Sequence, residues 1–295
     1  RAEKESSLKA DLFIASDGPR LTPDRPTIFL GSRGNKSIDL FVDLREGAHH
    51  SGNWGGLLAN PGIILAQALA TITDARGSIQ VPEWRPPLPE AVRKVLSDVE
   101  IQCMADGPQM DPEWGEPGLT PSERVFGWNS FEILAFTTGT PDAPVNAIPG
   151  AARAHAQLRY VVGTDEADIV PALRRHLDRA GFSMVRVAEA PRGHLGASRV
   201  DPEDPWVKWS IDSIKSTTGA APAVLPNLGG SLPSDIFCVD MGLRTIWVPH
   251  SYAACSQHAP NEHLLAPVAR EGLAIMAGLF WDLGVARKLP LAGPS

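Results

Sequence analysis

Three of the eight histidines lie close together near the end of the sequence, at positions 250, 258 and 263. The β-rich run at residues 244–248 delivers the loop that holds them, and Asn261-Glu262-His263 then predicts the start of a helix. Ligand sites form where side chains converge beyond the carboxyl ends of strands in an α/β sheet, and imidazole is a common metal ligand. We therefore predict that His258 ligates a metal ion.

A carboxylate at another predicted strand end is a candidate partner for His258. The apolar run at residues 10–16 is followed by Asp17 and a Gly-Pro breaker, a pattern typical of a buried parallel strand. Asp17 would then lie at the carboxyl end of that strand, where site residues gather. Aspartate is also favoured in turns because it bonds to its own backbone, so the local pattern leaves a turn-capping role equally open.

A glycine-dense loop at residues 47–56 contains His49 and His50 and precedes a predicted helix at 61–75. A histidine at the mouth of such a loop is able to reach a ligand. Paired histidines in loops are also common as solvent-facing residues without a role, and the residues alone do not decide between the two interpretations.

Three cysteines, Cys103, Cys238 and Cys255, lie too far apart in sequence for a zinc knuckle or a disulfide framework. This usage predicts a reducing, cytoplasmic location. Cys255 lies three residues before His258 and suggests a Cys-His nucleophile. We favour the metal interpretation because no base or oxyanion partner for the cysteine is identifiable.

The bulk composition excludes several classes of partner. The formal net charge is −7, with 34 acidic and 27 basic residues spread along 295 positions, which argues against a surface that binds nucleic acid. No apolar run approaches the roughly 18 to 20 residues that span a bilayer, and the first residues lack a signal-peptide pattern. We expect no nucleic-acid or membrane partner.

The elements that must position these residues fall into two kinds of pattern. From residue 27 the order is strands at 27–31 and 37–44 forming a hairpin, a helix at 61–75, a proline-rich insertion at 77–124, strands at 131–136 and 154–162, a helix at 165–180 and a strand at 184–188. This order predicts an α+β unit with a mostly antiparallel sheet and two helices on one face. On both sides of it the pattern is α/β, so a smaller domain, residues 27–188, is inserted between residues 1–26 and 189–295 of a larger one.

Seven short motifs occur in order along nearly the whole sequence. They are Ala15-Ser-Asp17-Gly-Pro, Arg33-Gly, His50-Ser-Gly with Gly55-Gly56, Asp74-Ala-Arg-Gly-Ser-Ile, Asn146-Ala-Ile-Pro with Arg159, Gly229-Gly-Ser231-Leu-Pro, and His258-Ala-Pro-Asn-Glu262. Together they resemble the two-zinc metallopeptidases of the M20 family, closest to the carnosinase-like dipeptidase branch.

The resemblance implies a parallel-type α/β catalytic domain that holds two zinc ions, with manganese as an alternative. The inserted residues 27–188 would be a lid through which such proteins form homodimers. By position, Asp17 would ligate one metal and His258 the other. Carboxylate and imidazole groups are expected zinc ligands.

The resemblance also implies four substrate-binding residues: His50, Asn146, Arg159 and Ser231. In related dimers the residue that corresponds to His50 reaches the partner's site and polarises the scissile carbonyl, a role that suits an imidazole beside a developing oxyanion. Arg159, a planar permanent cation, suits a substrate carboxylate. The substrate would be a dipeptide or an N-acyl amino acid, cleaved by metal-activated water.

Part of the family's pattern is missing. A His-x-Asp pair, a bridging aspartate and adjacent glutamates would precede Asp17, and the family's arginine before the glycine loop is replaced by Pro226-Asn227-Leu228. Because catalytic zinc normally takes three protein ligands, we expect the 295 residues alone to be inactive. The alternative function is a non-catalytic dimerisation or ligand-binding fragment, and the substituted arginine leaves an N-carbamoyl substrate open as well.

Overall fold

The computed structural model describes residues 8–101, 109–191, 194–286 and 289–290, so Cys103 lies outside the described residues. The strands are β1 (Phe13–Ala15), β2 (Pro19–Arg20), β3 (Thr27–Phe29), β4 (Gly31–Ser32), β5 (Gly34–Asp43), β6 (His49–His50), β7 (Ser130–Thr138), β8 (Ala147–Ile148), β9 (Ala151–Tyr160), β10 (Arg186–Glu189), β11 (Ser198–Arg199), β12 (Ala223–Leu225), β13 (Thr245–Trp247) and β14 (Ser251–Tyr252). The helices are α1 (Ser51–Trp54), α2 (Pro61–Ile72), α3 (Glu90–Leu96), α4 (Pro121–Phe126), α5 (Ile169–Arg179), α6 (Pro205–Thr218) and α7 (Ala266–Val285). Of these helices, none combines the length and the apolar character needed to cross a membrane.

A four-stranded mixed sheet, in the order β1-β13-β3-β12, joins the two ends of the chain. The β1–β13 and β3–β12 pairs are parallel, whereas β13 meets β3 in an antiparallel contact between Trp247 and Phe29. Two of the three pairings therefore have the predicted parallel direction. Helices α6 and α7 pack against each other and share one apolar core with this sheet.

The predicted hairpin of residues 27–31 with residues 37–44 is wrong. Strand β3 pairs with β12 and β13 in the mixed sheet instead. The physical reason is that consecutive residues of β3 are buried on opposite faces: Ile28 packs in the core under α6 and α7, and Phe29 packs with residues of α3 and α4. A strand that buries both faces belongs in the interior of a sheet.

A second sheet, here called the lid sheet, has the order β10-β5-β9-β7 and is antiparallel throughout. One face is apolar, with Ile38, Leu40 and Val42 of β5 fully buried. Small residues on β9, such as Ala154 and Ala156, belong to the same core, which also includes residues of α2 and α5. This confirms the predicted antiparallel sheet with two helices on one face.

The chain crosses between the two sheets twice, and the two crossings lie side by side. Strand β4 pairs with β11, and Asn35 bridges to Leu195 just beyond them. The backbones approach so closely that a Cβ on Gly31 would lie 1.9 Å from the Ser198 carbonyl oxygen. The predicted domain boundaries, residues 1–26, 27–188 and 189–295, stay a prediction, with β3 lying in the mixed sheet.

Candidate functional site

The structure brings Arg159 and Ser231 into contact, although they are far apart in sequence. Arg159 lies near the end of β9 in the lid sheet, and Ser231 lies in the glycine loop that follows β12 of the mixed sheet. Arg159 Nη1 donates a hydrogen bond of 3.0 Å to Ser231 Oγ. Two predicted substrate-binding residues therefore meet where the two sheets adjoin.

Residues 31–33 hold the glycine loop on both sides of Ser231. Before the serine, Leu228 N donates to Gly31 O at 2.9 Å and Arg33 N donates to Leu228 O at 3.2 Å. After it, Ser32 Oγ donates to Leu232 O at 3.2 Å. The loop is thus fixed before any ligand binds, which lowers the entropic cost of recognition.

Arg33 joins this site, a role for which the sequence reasoning gave no prediction. Its Nε donates to Gly229 O at 2.7 Å, and its Nη1 lies 3.5 Å from Ser130 Oγ. Burial, and secondly the nearby charge of Arg159, lower the pKa of Arg33 to about 10, while Glu132 acts in the opposite direction. The guanidinium therefore remains cationic at neutral pH, and the Arg33-Gly motif was its only sequence signal.

Arg33 and Arg159, here called the arginine pair, are candidates for binding an anion. The nearby carboxylate of Glu132 has a pKa raised by burial and lowered by Arg33. Two guanidinium groups repel each other unless negative charge lies near both, and together they present ten N–H donors, most without a bond to the residues described. A carboxylate matches that geometry because guanidinium groups bind it with paired hydrogen bonds.

The structure also brings the segments of Asp17 and His258 together at the carboxyl ends of β1 and β13. Ser251 Oγ donates to Gly18 O at 3.1 Å, and Gln257 Nε2 donates to Ser251 Oγ at 3.2 Å. Asp17 precedes Gly18 and His258 follows Gln257, so the two residues lie at either end of this pair of hydrogen bonds. Both side chains are exposed. Asp17 also accepts a bond from Gly18 N at 2.6 Å, which fits the turn-capping alternative.

Asp17 and His258 suit a metal ion in type but not in number. Within the described ranges, no group of three or more His, Cys, Asp or Glu residues lies close enough to hold a metal. Catalytic zinc normally takes three protein ligands plus water. These residues therefore supply candidate ligands and do not form a complete metal site.

The other reactive residues near His258 have different surroundings. His250 packs against Gly272 of α7, and its two ring nitrogens are buried without a partner in the described part of the chain. Burial lowers the pKa of His250, as does the charge of Arg20. Cys255 is buried, which does not suit an attacking nucleophile.

His50 and Asn146 lie together at the opposite end of the lid sheet from Arg159. Strand β6 pairs with β8, which places His50 opposite Ala147, and Asn146 O accepts bonds from the Ser51 backbone N and Oγ at 2.9 and 3.1 Å. Strand β9 begins at Ala151, and Arg159 follows eight residues later, which corresponds to roughly 27 Å of strand. One chain therefore does not bring His50 to its own arginine pair.

Comparison with known proteins shows what this architecture is similar to. Residues 30–184 match the family described as peptidase dimerisation domain, M20_dimer. The cysteinylglycine-S-conjugate dipeptidase of Corynebacterium striatum is 23% identical over 235 residues, covering 76% of this chain and 49% of that protein. The β-Ala-His dipeptidase of Mus musculus is 28% identical over 286 residues, covering 92% of this chain and 57% of that protein. The chain thus spans about half the length of these relatives.

Two solved structures show the shared fold. An M20 family metallo-carboxypeptidase from Sulfolobus solfataricus superposes with a TM-score of 0.74 at 23% identity, covering 94% of this chain and 64% of that chain. The dipeptidase Dug1p from Saccharomyces cerevisiae superposes with a TM-score of 0.75 at 19% identity, covering 97% of this chain and 62% of that chain. Both likenesses extend over nearly all of this chain and include both sheets.

Proposed function

Because the chain belongs to the M20 peptidase family, whose dimerisation domain it carries, we propose that the whole protein is a metal-dependent hydrolase of amide bonds in small substrates. The observation that carries the proposal is the arginine pair beside Ser231. Two cations at a preorganised glycine loop suit a ligand that bears a carboxylate, and both a dipeptide and an N-acyl amino acid bear one. The relatives named as dipeptidases support the same class of substrate.

In this proposal Arg159 holds the substrate carboxylate and Ser231 lies beside it. Arg159 Nη1 already bonds to Ser231 Oγ, so the guanidinium is oriented before the substrate arrives. Arg33 adds a second positive charge from behind the glycine loop. These contacts position the substrate, and the scissile bond would lie on the side of the loop nearer to Asp17 and His258.

Asp17 and His258 would serve as ligands to two different metal ions, together with further ligands from the whole protein. A bound zinc ion would supply an activated water, and manganese is the alternative metal. The exposed position of both side chains at the strand ends leaves them accessible to an ion. The relatives named as metallopeptidases support a metal cofactor.

We further propose that the protein is a homodimer formed through the lid sheet and that His50 acts in the partner's site. Strand β7 is an edge of the lid sheet. Among the described residues no strand pairs with its outer side, so a second copy is able to meet it there. It exposes three large apolar side chains, Ile133, Leu134 and Phe136. The separation of His50 from Arg159 within one chain is the second support, since a partner would supply the missing histidine.

A cytoplasmic location is proposed on the cysteines. Cys238 and Cys255 are both free. Free thiols without a disulfide framework are typical of reducing compartments. Detection of the protein with an intact thiol at both positions in cell extracts would support this location.

The test of the hydrolase proposal is a metal-depletion experiment on the full-length protein. Dialysis against a chelator is expected to abolish hydrolysis of dipeptides and of N-acetyl amino acids, and added zinc or manganese is expected to restore it. Circular dichroism before and after dialysis controls for unfolding. Hydrolysis that is indifferent to the chelator would contradict the proposal.

The second candidate is a non-catalytic dimerisation or ligand-binding module. It is favoured by one observation, namely that the described residues offer two candidate ligands without a third. Metal analysis of the full-length protein separates the two candidates, because only the hydrolase is expected to hold stoichiometric metal. The 295-residue chain alone is expected to bind little zinc in either case. A tightly bound pair of ions would show that the ligands are misassigned.

A further inference from the structure

A cavity of about 760 Å³ lies beside the arginine pair, among the described residues of the insertion and of β7. Its apolar lining includes Trp114, Trp128 and Phe131. Its polar wall includes Arg33 and the carboxylates of Glu116 and Glu132. A concave, mostly apolar space with a few convergent polar groups is the usual form of a small-molecule site. None of the residues predicted from the sequence to bind substrate lines it.

Ion pairs within the insertion hold part of the cavity wall. Arg85 pairs with Glu116 at 2.6 Å, and Arg93 pairs with Glu123 at 2.7 Å. Helix α4 is closed at its start by reciprocal bonds between Thr120 and Glu123. These contacts hold the part of the wall formed by Val125 and Trp128 in place.

The cavity and the glycine loop share a wall. Arg33 lines the cavity and at the same time donates to Gly229 O. Val125, another lining residue, lies so close to the loop that a Cβ on Gly229 would be 3.0 Å from Val125 Cγ1. A ligand group bound in the cavity would therefore lie next to the carboxylate held by the arginine pair.

We propose that this cavity is the specificity subsite for the side chain of the substrate's C-terminal residue and that it selects aromatic side chains. The inference rests on the proposed function. In a dipeptide, the terminal carboxylate and the terminal side chain are attached to the same Cα, so a cation for the first must lie beside a pocket for the second. The two tryptophans and Phe131 supply ring faces and edges for an aromatic group.

The main test compares two dipeptides that differ only in the terminal side chain. For the metal-loaded full-length protein, kcat/KM for Gly-Phe is expected to exceed that for Gly-Gly by about tenfold or more, because the phenyl group is removed from water in the cavity. Trp114→Ala is expected to lower this ratio about fivefold, through loss of one aromatic wall. Trp281→Ala is the matched control, since Trp114 and Trp281 are 55% and 71% exposed and Trp281 lies on α7, away from the cavity.

A filling variant tests the same point without removing a side chain. Val125→Trp is expected to reduce the Gly-Phe to Gly-Gly ratio to about one, because Val125 lines the cavity and the larger ring would extend into it. Its thermal unfolding is compared with that of Val125→Ala, which keeps the space open. A ratio that survives Val125→Trp in a folded protein would overturn the inference.

A binding measurement separates failure of this inference from failure of the proposed function. Titration calorimetry of the metal-free 295-residue chain with N-acetyl-phenylalanine and N-acetyl-glycine is expected to show tighter binding of the former, weakened by Trp114→Ala. If neither dipeptide is hydrolysed but this preference holds, the hydrolase proposal fails and the subsite stands. If both dipeptides are hydrolysed with equal kcat/KM and the two ligands bind equally, the subsite is overturned and the hydrolase proposal stands.

Discussion

The two ends of strand β9 differ in what they contact. At one end, Arg159 reaches across to Ser231 of the mixed sheet, and Arg33 fixes the same glycine loop. Near the other end, His50 and Asn146 are exposed. Among the described residues, the hydrogen bonds of their backbone are made to neighbouring residues of the lid. One chain therefore brings Arg159 and Ser231 together by itself, whereas it leaves His50 and Asn146 exposed to solvent. This difference is what a site shared between two copies requires.

The largest effect expected at the completed end comes from Arg159→Ala. It should lower kcat/KM for a dipeptide about a hundredfold to a thousandfold, since two charge-assisted hydrogen bonds of about 2 kcal/mol each would be lost. Steady-state kinetics of the full-length protein measures this loss. Arg153→Ala is the matched control, because Arg153 lies on the same strand and stacks on Phe41 away from Ser231. Equal effects of the two substitutions would break the comparison.

Mixing two inactive variants tests whether the ends of β9 act in different copies. His50→Ala and Arg159→Ala are each expected to be nearly inactive alone. After unfolding and joint refolding, activity should return to about a quarter of the wild-type value, because half of the dimers are mixed and each mixed dimer holds one complete site. Absence of recovery, with mixed dimers verified by mass spectrometry, would place His50 and Arg159 in the same copy.

The edge strand offers a test with a smaller expected effect on catalysis. Leu134→Glu places a charge on β7, where the side chain is 57% exposed. It is expected to weaken the dimer, and activity is expected to fall about tenfold as dimers are lost, since a buried unpaired charge destabilises an interface. Light scattering after size-exclusion chromatography measures the mass. Leu273→Glu on α7, where Leu273 is 73% exposed, is the control. A dimer in both variants would move the interface away from β7.

The smallest expected effect concerns the loop that carries His258. Burial, and secondly the charge of Arg20, lower the folded pKa of His250 and favour its neutral form. As pH falls below about 6.5 the unfolded chain takes up the proton first, so the free energy of unfolding should decrease between pH 7.5 and 5.5, by at most about 1.4 kcal/mol per pH unit for one group. His250→Gln should flatten this slope in urea titrations, and the exposed His263→Gln should not. Parallel slopes for all three proteins would contradict the assignment.

Sequence reasoning predicted the lid sheet because its strands alternate apolar and polar residues over long, local stretches. It failed for β3, whose three residues pair with partners about two hundred positions away. A short apolar run fits a hairpin as well as a central strand, and only the burial of Ile28 and Phe29 on opposite faces separates the two. Short strands with non-local partners carry no local signal of their pairing.

The candidate site was predictable in its residues and not in its contacts. The motifs identified Arg159 and Ser231, but their hydrogen bond spans 72 positions and no spacing rule predicts it. Arg33 belongs to the Arg33-Gly motif, but the sequence predicted no role for it. The reason is that its bond to Gly229 spans 196 positions. The same limit hid the 2.8 Å pair between His155 and Asp39 on adjacent lid strands.

The paired crossings between the two sheets have a mechanical consequence. Strands β4 and β11 are hydrogen bonded to each other and lie in close contact at Gly31. The lid sheet is therefore connected to the mixed sheet by two paired strands. Any rotation of the lid sheet relative to the mixed sheet has to bend both strands at once. We expect this to restrict the rotation to a single axis. The end of the lid sheet near His50 would be displaced furthest by such a rotation. Arg159 and Ser231, which lie close to the paired strands, would be displaced least.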